Sequence, residues 1–360
     1  MQFKCVSAFA ALCALLLGLA ACTPERMEPK DTSRMKMNAS SQFYKDTFHN
    51  DGNVTLSIEG SWLGMARDYL FGGQQRFPES ALPVSVLDIQ ALTAEQELSL
   101  SWLGHSTTLI NLEGRLILVD PMFAKRASPL SFIGPKRFHE TLPVTAEDLP
   151  ALDAVLISHD HYDHLDREAV QTLAPKTGKF YVPLGVDAHL RNWGIPENQI
   201  VALDWWERAE HLPGLSFVAT PAQHFSGRGL LDRNRTLWAS WTILGQSKRV
   251  FYSGDSGYAR HFKDIGNAYG PFDLTLIECG AYSEYWPSVH MTPEQTIQAH
   301  LDLGGKHLVP VHWSTFNLAI HHWREPMQRA TASASSHGLC MTAPLPGEVL
   351  TSFRVSPKPQ

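Results

Sequence analysis

The chain has 360 residues, of which 44% are hydrophobic and 18% are charged, and its formal net charge is -6. This balance is typical of a globular protein and argues against a disordered one. The acidic charge and the lack of a long Lys/Arg run argue against nucleic acid as a partner, because phosphate binding needs a basic face. The 17 histidines are the unusual feature of the composition.

Residues 1–21 predict a signal peptide, because Lys4 is their only charged residue and the apolar run of 6–21 is short for a membrane span. The segment ends in Leu-Ala-Ala-Cys, which resembles the lipobox of bacterial lipoproteins, where the cysteine is acylated after cleavage. We therefore predict that lipidated Cys22 anchors the chain to a membrane surface, with a plain signal peptide as the alternative. Thr23 follows in place of Asp, which favours a cell-envelope location in the outer membrane, facing the periplasm.

The polar residues 22–50 predict a flexible tether, so the folded domain is expected to span residues 51–360. Apolar residues of 60–71 recur at helical spacing. They predict a helix packed on the domain, with a face lying on a bilayer as the alternative. Cys279 and Cys340 are expected to be unpaired thiols.

Short strand-like runs recur from Leu98 onward, with helical patterns among them. Asp166 is expected to cap a helix over 167–174, and Thr292 to Gln295 forms a capping box that opens a helix over 293–303. Many strands interleaved with few helices predict sheets covered by helices in one domain. The strand-like runs are 98–104, 115–120, 154–158, 179–183, 215–220, 238–245, 249–254, 273–278 and 307–311.

The stretch ISHDHYDHLD, residues 157–166, carries the strongest chemical signal. His159 and His161 alternate in an extended segment, so they point the same way and can share one ligand. Asp163 and His164 follow where the chain must turn, and can face a second position beside the first. Imidazole nitrogens and carboxylate oxygens both suit zinc, so the stretch predicts a metal site, with a histidine-rich polar loop as the alternative.

Four such ligands do not fill two metal sites, so partners are expected downstream. His224, Asp255 and His312 each follow a strand-like run, and the loops at one edge of a sheet converge. These three residues are therefore candidate ligands. Histidines in helical or loop contexts are expected to be ordinary surface or core residues; they are His189, His211, His261, His300, His307 and His321.

These motifs, together with WLGHSTTLI, VDPMFAKRASPL, PAQHFSGR, FYSGDSGY and VHWSTFNLA, resemble the metallo-β-lactamase fold superfamily. Over residues from about 60 to at least 330 they resemble its N-acylphosphatidylethanolamine-hydrolysing phospholipase D branch, which includes outer-membrane lipoproteins of the RomA type. The resemblance implies an α/β (α+β) fold, an αββα four-layer sandwich with a dimetal site at the sheet edge. It assigns seven ligands to two zinc ions: His159, His161 and His224 to the first, Asp163, His164 and His312 to the second, and Asp255 to both. Iron or manganese would also accept such ligands.

The resemblance further implies a phosphodiesterase that cleaves a membrane phospholipid into phosphatidic acid and an N-acylethanolamine. A metal-bridging hydroxide would attack phosphorus. Asp163 and His290 are implied catalytic residues, His290 as a phosphate ligand or as the acid for the leaving group. Asp120 matches a family position that packs under the metals and orients a ligand histidine. His105 also matches the family, with a structural role as the alternative.

Substrate contacts are predicted near the mouth of the site. Arg228 is a candidate to meet the phosphate. The candidates for an apolar mouth that takes acyl chains are Tyr282, Trp286, Tyr285 and Phe225, with ordinary packing, the commoner role of an aromatic cluster, as the alternative. Residues 226–228 and 283–288 depart from the vertebrate-like pattern of the family, which leaves the acyl preference and the exact phosphodiester open.

Two other functions remain open at this stage. One is a metallo-hydrolase of another ester, such as a lactone or a different phosphodiester, because one fold hosts many reactions. The other is a non-enzymatic envelope lipoprotein with a structural metal, against which seven potential ligands argue, since structural zinc needs four. The oligomeric state stays open between a monomer and a homodimer.

Overall fold

A computed structural model describes residues 30–54, 56–351 and 353 of the chain. The predicted signal peptide, the lipidation site Cys22 and the first part of the predicted tether lie outside the described residues. In the described part the helices are α1 (Asp31–Ala39), α2 (Trp62–Phe71), α3 (Ile89–Ala94), α4 (Arg167–Leu173), α5 (Val186–Asn192), α6 (His261–Tyr269), α7 (Pro293–Asp302) and α8 (Glu325–Ser336), with short 3-10 turns at Asp51–Asn53, Ala174–Lys176 and Glu197–Gln199. The strands are β1 (Phe43–Tyr44), β2 (Thr47–Phe48), β3 (Leu98–Gly104), β4 (Thr107–Leu112), β5 (Arg115–Val119), β6 (Leu152–Leu156), β7 (Thr177–Pro183), β8 (Ile200–Leu203), β9 (Arg208–Leu212), β10 (Leu215–Thr220), β11 (Ser240–Leu244), β12 (Arg249–Tyr252), β13 (Leu274–Glu278), β14 (Leu308–Val311) and β15 (Val349–Leu350).

The strands form two large mixed sheets and a small hairpin. The first sheet has the order β15-β3-β4-β5-β6-β7-β8, the second has the order β14-β13-β12-β11-β10-β9, and β1 pairs with β2. Each large sheet has an antiparallel part and a parallel part. The parallel strands are β5 to β8 in the first sheet and β12 to β14 in the second. Because parallel neighbours end at the same edge, the loops that follow β5, β6, β12, β13 and β14 gather at sheet edges.

The two sheets pack face to face and a layer of helices covers each outer face. The inner core contains Trp102 from the first sheet and Trp241 from the second, both almost fully buried. The helices α3 to α5 cover the first sheet, and α6 to α8 cover the second. Strands β3, β4 and β13 are buried along their whole length because both of their faces are covered. The predicted αββα four-layer fold is confirmed.

The predicted strands and helix caps agree with the structure. Every strand-like run of the sequence overlaps a strand, and β3 and β10 have the predicted bounds. The Asp166 side chain accepts the backbone N–H groups of Glu168 and Ala169 and so caps α4. Thr292 and Gln295 form the reciprocal capping box that opens α7.

The N-terminal segment differs from the predicted tether, because residues 31–50 fold onto the domain. Met37 is 3% exposed and Phe48 is fully buried, and both belong to the core between the sheets. The backbone N–H of Phe48 donates to the carbonyl of Asn234 at 2.7 Å. The composition of this segment is polar, but its few apolar side chains cover the open end of the sheet core. The folded domain therefore includes residues 31–50, which the sequence assigned to the tether.

Helix α2 forms within the predicted range, but the expected packing through its apolar residues is wrong. Ser61 caps it by accepting the N–H of Gly64, and the helix has no buried residue. Trp62 is 67% exposed, and Phe71 is 79% exposed. One contact with the domain is polar: the Tyr285 hydroxyl donates to Asp68 at 2.6 Å.

Cys279 is buried and Cys340 half-buried, and both are free thiols, as predicted. None of the helices in the described ranges combines the length and hydropathy that spanning a bilayer requires.

Candidate metal centre

Three histidines bring one ring nitrogen each to a common point at the sheet edge. His159 and His161 lie in the loop after β6, and His224 lies in the loop after β10. Nδ1 of His161 lies 2.8 Å from Nε2 of His159 and 3.3 Å from Nε2 of His224. The outer nitrogens of His159 and His224 face the Ser158 hydroxyl and the Val289 carbonyl. The three inner nitrogens can therefore present lone pairs to a shared cation.

A second cluster lies beside the first and is built by Asp163, His164 and His312. Oδ2 of Asp163 is 3.5 Å from Nε2 of His164 and 3.4 Å from Nε2 of His312. His312 directly follows β14 and has a positive φ of 63°, which turns its side chain at the strand end.

Asp255, in the loop after β12, joins the two clusters. Its Oδ2 lies 3.1 Å from Nε2 of His164 and 3.2 Å from Nε2 of His312. The same oxygen lies 3.8 Å from Nε2 of His159 and 3.7 Å from Nε2 of His224. One carboxylate thus faces both groups of histidines, as the resemblance implied.

The ligand atoms fit two metal ions with nitrogen and oxygen ligands. Their separations of 2.8 to 3.8 Å scatter around the edge of about 3.4 Å expected for a tetrahedron with metal–nitrogen distances of about 2.1 Å. Nε2 of His164, Nε2 of His312 and Oδ1 of Asp255 are buried and have no hydrogen-bond partner among the described residues. Buried polar atoms of this kind are rare unless a ligand completes them. The ligand groupings in the described residues include His159, His161, His224 and Asp255, and His105, Asp163, His164 and His312.

The candidate ligand histidines fall into two groups, one with lowered and one with raised pKa values. Burial lowers the pKa of His159 and His224 well below the ordinary histidine value, and burial also lowers that of His161. Burial acts in the same direction on His164 and His312, but the nearby carboxylates outweigh it. Asp255 and Asp163 raise the pKa of His164 well above its ordinary value and that of His312 to about 10. Both pKa directions favour protonated forms of His164 and His312 beside the buried carboxylates when no metal is bound.

Asp120 lies under the second cluster and orients His164. Its Oδ2 is 2.6 Å from Nδ1 of His164 and also accepts the hydroxyl of Tyr252. Its Oδ1 accepts the backbone N–H of Ser158 at 2.7 Å. Asp120 is fully buried, and its contacts fit a positioning role through His164 rather than contact with a substrate.

His105 performs the corresponding task for Asp163. Its Nε2 lies 3.0 Å from Oδ2 of Asp163, and its backbone N–H donates to the hydroxyl of Thr315 at 2.7 Å. Burial and the neighbouring His312 lower the pKa of His105 to about 3, so it is neutral and donates one ring N–H to the carboxylate.

Arg228 is placed differently from the sequence prediction. One of its guanidinium nitrogens donates to the carbonyls of Asp160 and Leu165, at 2.7 and 2.8 Å, and the group stacks 3.9 Å from the ring of Tyr162. The guanidinium is used to hold the metal-binding loop, because that loop exposes carbonyls that no strand satisfies. These contacts support a positioning role instead of the predicted contact with a phosphate.

The predicted apolar mouth is also only partly formed. Tyr282 is 7% exposed, and its hydroxyl donates to Glu325 at 2.8 Å, so it packs against α8. Trp286 is half-buried and donates its indole N–H to the carbonyl of Ala281 at 2.7 Å. Phe225 lies 4.6 Å from the ring of His161 and does border the centre.

Several residues of the site were not singled out from the sequence. Asn50 accepts the backbone N–H of His224 at 3.0 Å and donates to its carbonyl at 2.9 Å. Tyr252 and Ser158 hold Asp120, and buried Glu278 contacts His290. These contacts join residues that are 12 to 174 positions apart in the chain. Tyr252, Ser158 and Glu278 lie at the end of a strand or next to a motif residue, whereas Asn50 lies in the segment predicted to be a tether.

The fold and the centre define the class of protein, and comparison with known proteins agrees. Residues 115–313 match the family described as the beta-lactamase superfamily domain. The chain belongs to this superfamily.

Particular relatives narrow the class. The chain is 38% identical over 264 residues to the N-acyl-phosphatidylethanolamine-hydrolyzing phospholipase D 1 of Caenorhabditis elegans, covering 70% of this chain and 74% of that protein. It is 48% identical over 275 residues to an uncharacterised protein of Mycobacterium tuberculosis, covering 75% of this chain and 73% of that one. It is 50% identical over 98 residues to the outer membrane protein RomA of Klebsiella pneumoniae, covering 27% and 74%. Among solved structures, the isothiocyanate hydrolase from Delia radicum gut bacteria shares the fold, with a TM-score of 0.57 and 23% identity over 71% of this chain and 99% of that one.

Proposed function

We propose that the protein is a zinc-dependent phosphodiesterase that hydrolyses N-acylphosphatidylethanolamine-type phospholipids to phosphatidic acid and N-acylethanolamine. The observation that carries the proposal is the pair of ligand clusters joined through Asp255, with His290 next to them. Two metals side by side suit the attack on a phosphodiester, because both the attacking and the leaving oxygen need charge stabilisation. The 38% identity with the Caenorhabditis elegans enzyme supports the substrate class.

Metal ions held by these residues would supply an activated water and positive charge for the phosphoryl oxygens. The remaining tasks fall to side chains of the chain itself. Asp163, whose Oδ2 is held by His105, is placed to orient the attacking water. His290 contacts Glu278 through Nδ1, which leaves Nε2 to protonate the leaving alkoxide.

The experiment is product analysis by mass spectrometry on native envelope lipids and on a panel of phospholipids, lactones and bis-p-nitrophenyl phosphate. We expect N-acylethanolamine release by the zinc-loaded protein, and loss of that release in His161→Ala. His211→Ala, which changes a histidine of strand β9 outside the centre, should keep the activity. Full activity in metal-stripped protein, or turnover of lactones alone, would contradict the proposal.

We also propose where the enzyme works: lipid-anchored through Cys22 in the outer membrane and facing the periplasm, with α2 on the bilayer surface. Similarity to RomA over part of the chain supports the envelope location. The large apolar side chains of α2 support the surface contact, being exposed by 67% at Trp62, 83% at Leu63, 68% at Leu70 and 79% at Phe71. Such a patch on a water-soluble surface is costly unless a membrane or partner covers it.

The position of α2 relative to the metal centre fits this orientation. Asp68 of α2 accepts the hydroxyl of Tyr285, which lies in the loop leading to His290. After α2, the carbonyl of Gln75 accepts the N–H of Trp323, in the segment that follows His312. A bilayer contacting α2 would therefore present its headgroups close to the centre.

A further inference from the structure

A buried carboxylate lies next to the metal centre without belonging to its seven ligands. Glu278 is the last residue of β13, and its side chain is fully buried. Its Oε1 accepts the backbone N–H of Met291 at 3.0 Å and that of Ser256 at 3.3 Å. Its Oε2 lies 3.1 Å from Nδ1 of His290. Because a buried carboxylate is costly unless its oxygens are paired, these three contacts indicate an oriented group.

His290 lies between this carboxylate and the metal ligands. Its ring centroid is 5.2 Å from that of His224 and 5.2 Å from that of His312. A ring nitrogen of His290 also groups with ligand atoms of Asp255 and His312, all within 4.8 Å of one another. Since a carboxylate only accepts hydrogen bonds, Nδ1 of His290 must carry a proton, and Nε2 is the nitrogen available to the reaction.

We propose that Glu278 is a positioning residue for His290: it holds the proton on Nδ1 and turns Nε2 toward the bond that breaks. The inference rests on the proposed function, which assigns the leaving-group proton to His290. In that step the oxygen of the attacking water, which has given one proton to solvent, forms a bond to phosphorus, and the bond from phosphorus to the ethanolamine oxygen breaks. His290 enters the step as the imidazolium, with one proton on Nδ1 facing Glu278 and a second on Nε2. The leaving oxygen keeps the electron pair and takes the proton from Nε2, which leaves the Nδ1–H imidazole. Glu278 touches no reacting atom and acts through His290 alone.

Glu278→Gln tests this arrangement, because glutamine has the shape of glutamate but carries an amide in place of the carboxylate. The two backbone N–H groups at Oε1 select the amide oxygen for that position, so the amide NH₂ must face His290. Nδ1 of His290 then has to accept, and the ring proton moves to Nε2. Nitrogen NMR of zinc-loaded protein with labelled histidine should show a proton on Nδ1 of His290 in the wild type and none there in Glu278→Gln. The His290→Ala spectrum assigns the signal.

This measurement needs no substrate, and the wild-type spectrum alone tests the arrangement if the variant does not fold. An Nδ1 without a proton in the wild type would overturn the proposal. A wild-type protein that has the Nδ1 proton but does not cleave the phospholipid would contradict the proposed function instead, and leave the Glu278–His290 arrangement supported.

Kinetics then separate positioning from a merely structural role. With the phospholipid, whose alkoxide leaves poorly, Glu278→Gln and His290→Ala should lower kcat by about 10²–10⁴ with little change in KM. With bis-p-nitrophenyl phosphate, whose leaving group needs no proton, both losses should stay below about tenfold. The double variant should match His290→Ala. Equal losses on both substrates, or additive losses in the double variant, would overturn the inference.

Thr296→Val is the matched control. Its hydroxyl donates to the backbone carbonyl of Glu278 at 2.7 Å and is buried, so the change disturbs the same strand end and keeps the carboxylate. We expect a lower melting temperature and equal, small effects on the two substrates. Zinc content is measured for all variants, so that lost metal is not mistaken for lost proton transfer.

Discussion

The buried carboxylate of Asp120 orients the ring of His164, a candidate metal ligand. It accepts from His164, Tyr252 and Ser158 at once, so His164 keeps its Nε2 turned toward Asp255. We expect Asp120→Asn to weaken metal binding roughly 10- to 100-fold, because the carboxylate that orients the ring is lost. Zinc titration with a competing chelator measures this. Asp153→Asn, which changes a carboxylate on β6 away from the centre, should leave zinc affinity unchanged.

The protons on His164 and His312 predict an unusual pH dependence of the metal-free protein. The pKa of folded His312 is about 10, above the value of about 6.5 expected when unfolded. A raised folded pKa stabilises the fold fully below the unfolded pKa, and this stabilisation is lost as pH rises toward the folded one. The melting temperature of the chelated protein should therefore fall between about pH 6.5 and pH 10. Burial opposes this shift, but Asp255 and Asp163 outweigh it.

Zinc should remove that dependence, since it displaces the protons of both histidines on binding. Melting curves in zinc and in EDTA over the same pH range, with proton release recorded on zinc addition, test the point. Parallel pH profiles in the two conditions would contradict it.

At the scale of elements, the N-terminal hairpin belongs to the fold. Phe48 is fully buried in the core between the sheets, and the Asn50 side chain hydrogen-bonds both the backbone N–H and the carbonyl of His224. Phe48→Ala should lower the free energy of unfolding by about 3–5 kcal/mol, as expected for a large cavity in a core. Tyr44→Ala, in the same hairpin but 49% exposed, should cost below about 1 kcal/mol. Urea unfolding of the zinc-loaded protein compares the two.

Helix α2 should bind bilayers through its exposed apolar residues. A chain beginning at residue 23, which lacks the acyl anchor, should sediment with phosphatidylethanolamine and phosphatidylglycerol vesicles. Replacing Trp62 and Phe71 by Gln should weaken this binding by about tenfold or more, since each side chain loses burial worth about 1.5–3 kcal/mol if complete. Leu301→Gln, at an exposed position of α7, is the control. Unchanged partitioning of the double variant would argue against a bilayer contact at α2.

At the scale of the whole molecule, the metal centre joins the two sheets. Four ligands follow β6 of the first sheet, and His224, Asp255 and His312 follow strands of the second. Metal that binds only the folded chain stabilises it by about 4 kcal/mol per site at a thousandfold excess over Kd. Chelation should therefore lower the urea midpoint clearly, and Asp255→Ala should reduce the bound zinc below two per chain. Equal urea midpoints with and without zinc would contradict the view that bound metal links the two sheets and stabilises the fold.

The local features of this protein were determined by its sequence alone. The histidine cluster of 159–164, the caps at Asp166 and Thr292, and the core strands were predicted because side-chain alternation and backbone capping are properties of a few neighbouring residues. The candidate ligands His224, Asp255 and His312 were predicted from their place at strand ends, which needs only the rule that such loops converge.

Only the tertiary structure decided which distant groups support those ligands. The contacts of Asn50 with His224, of Tyr252 with Asp120 and of Glu278 with His290 depend on which strands and loops are neighbours, and short-range patterns carry no such information. The same holds for the predictions that the structure corrected, which include the packing of helix α2 and the apolar mouth as well as Arg228 and the tether. The guanidinium of Arg228 donates to carbonyls of the metal-binding loop. The polar segment before residue 50 is ordered because its few apolar side chains pack into the core between the sheets. Packing across the sandwich, rather than local preference, set the final role of each of these residues.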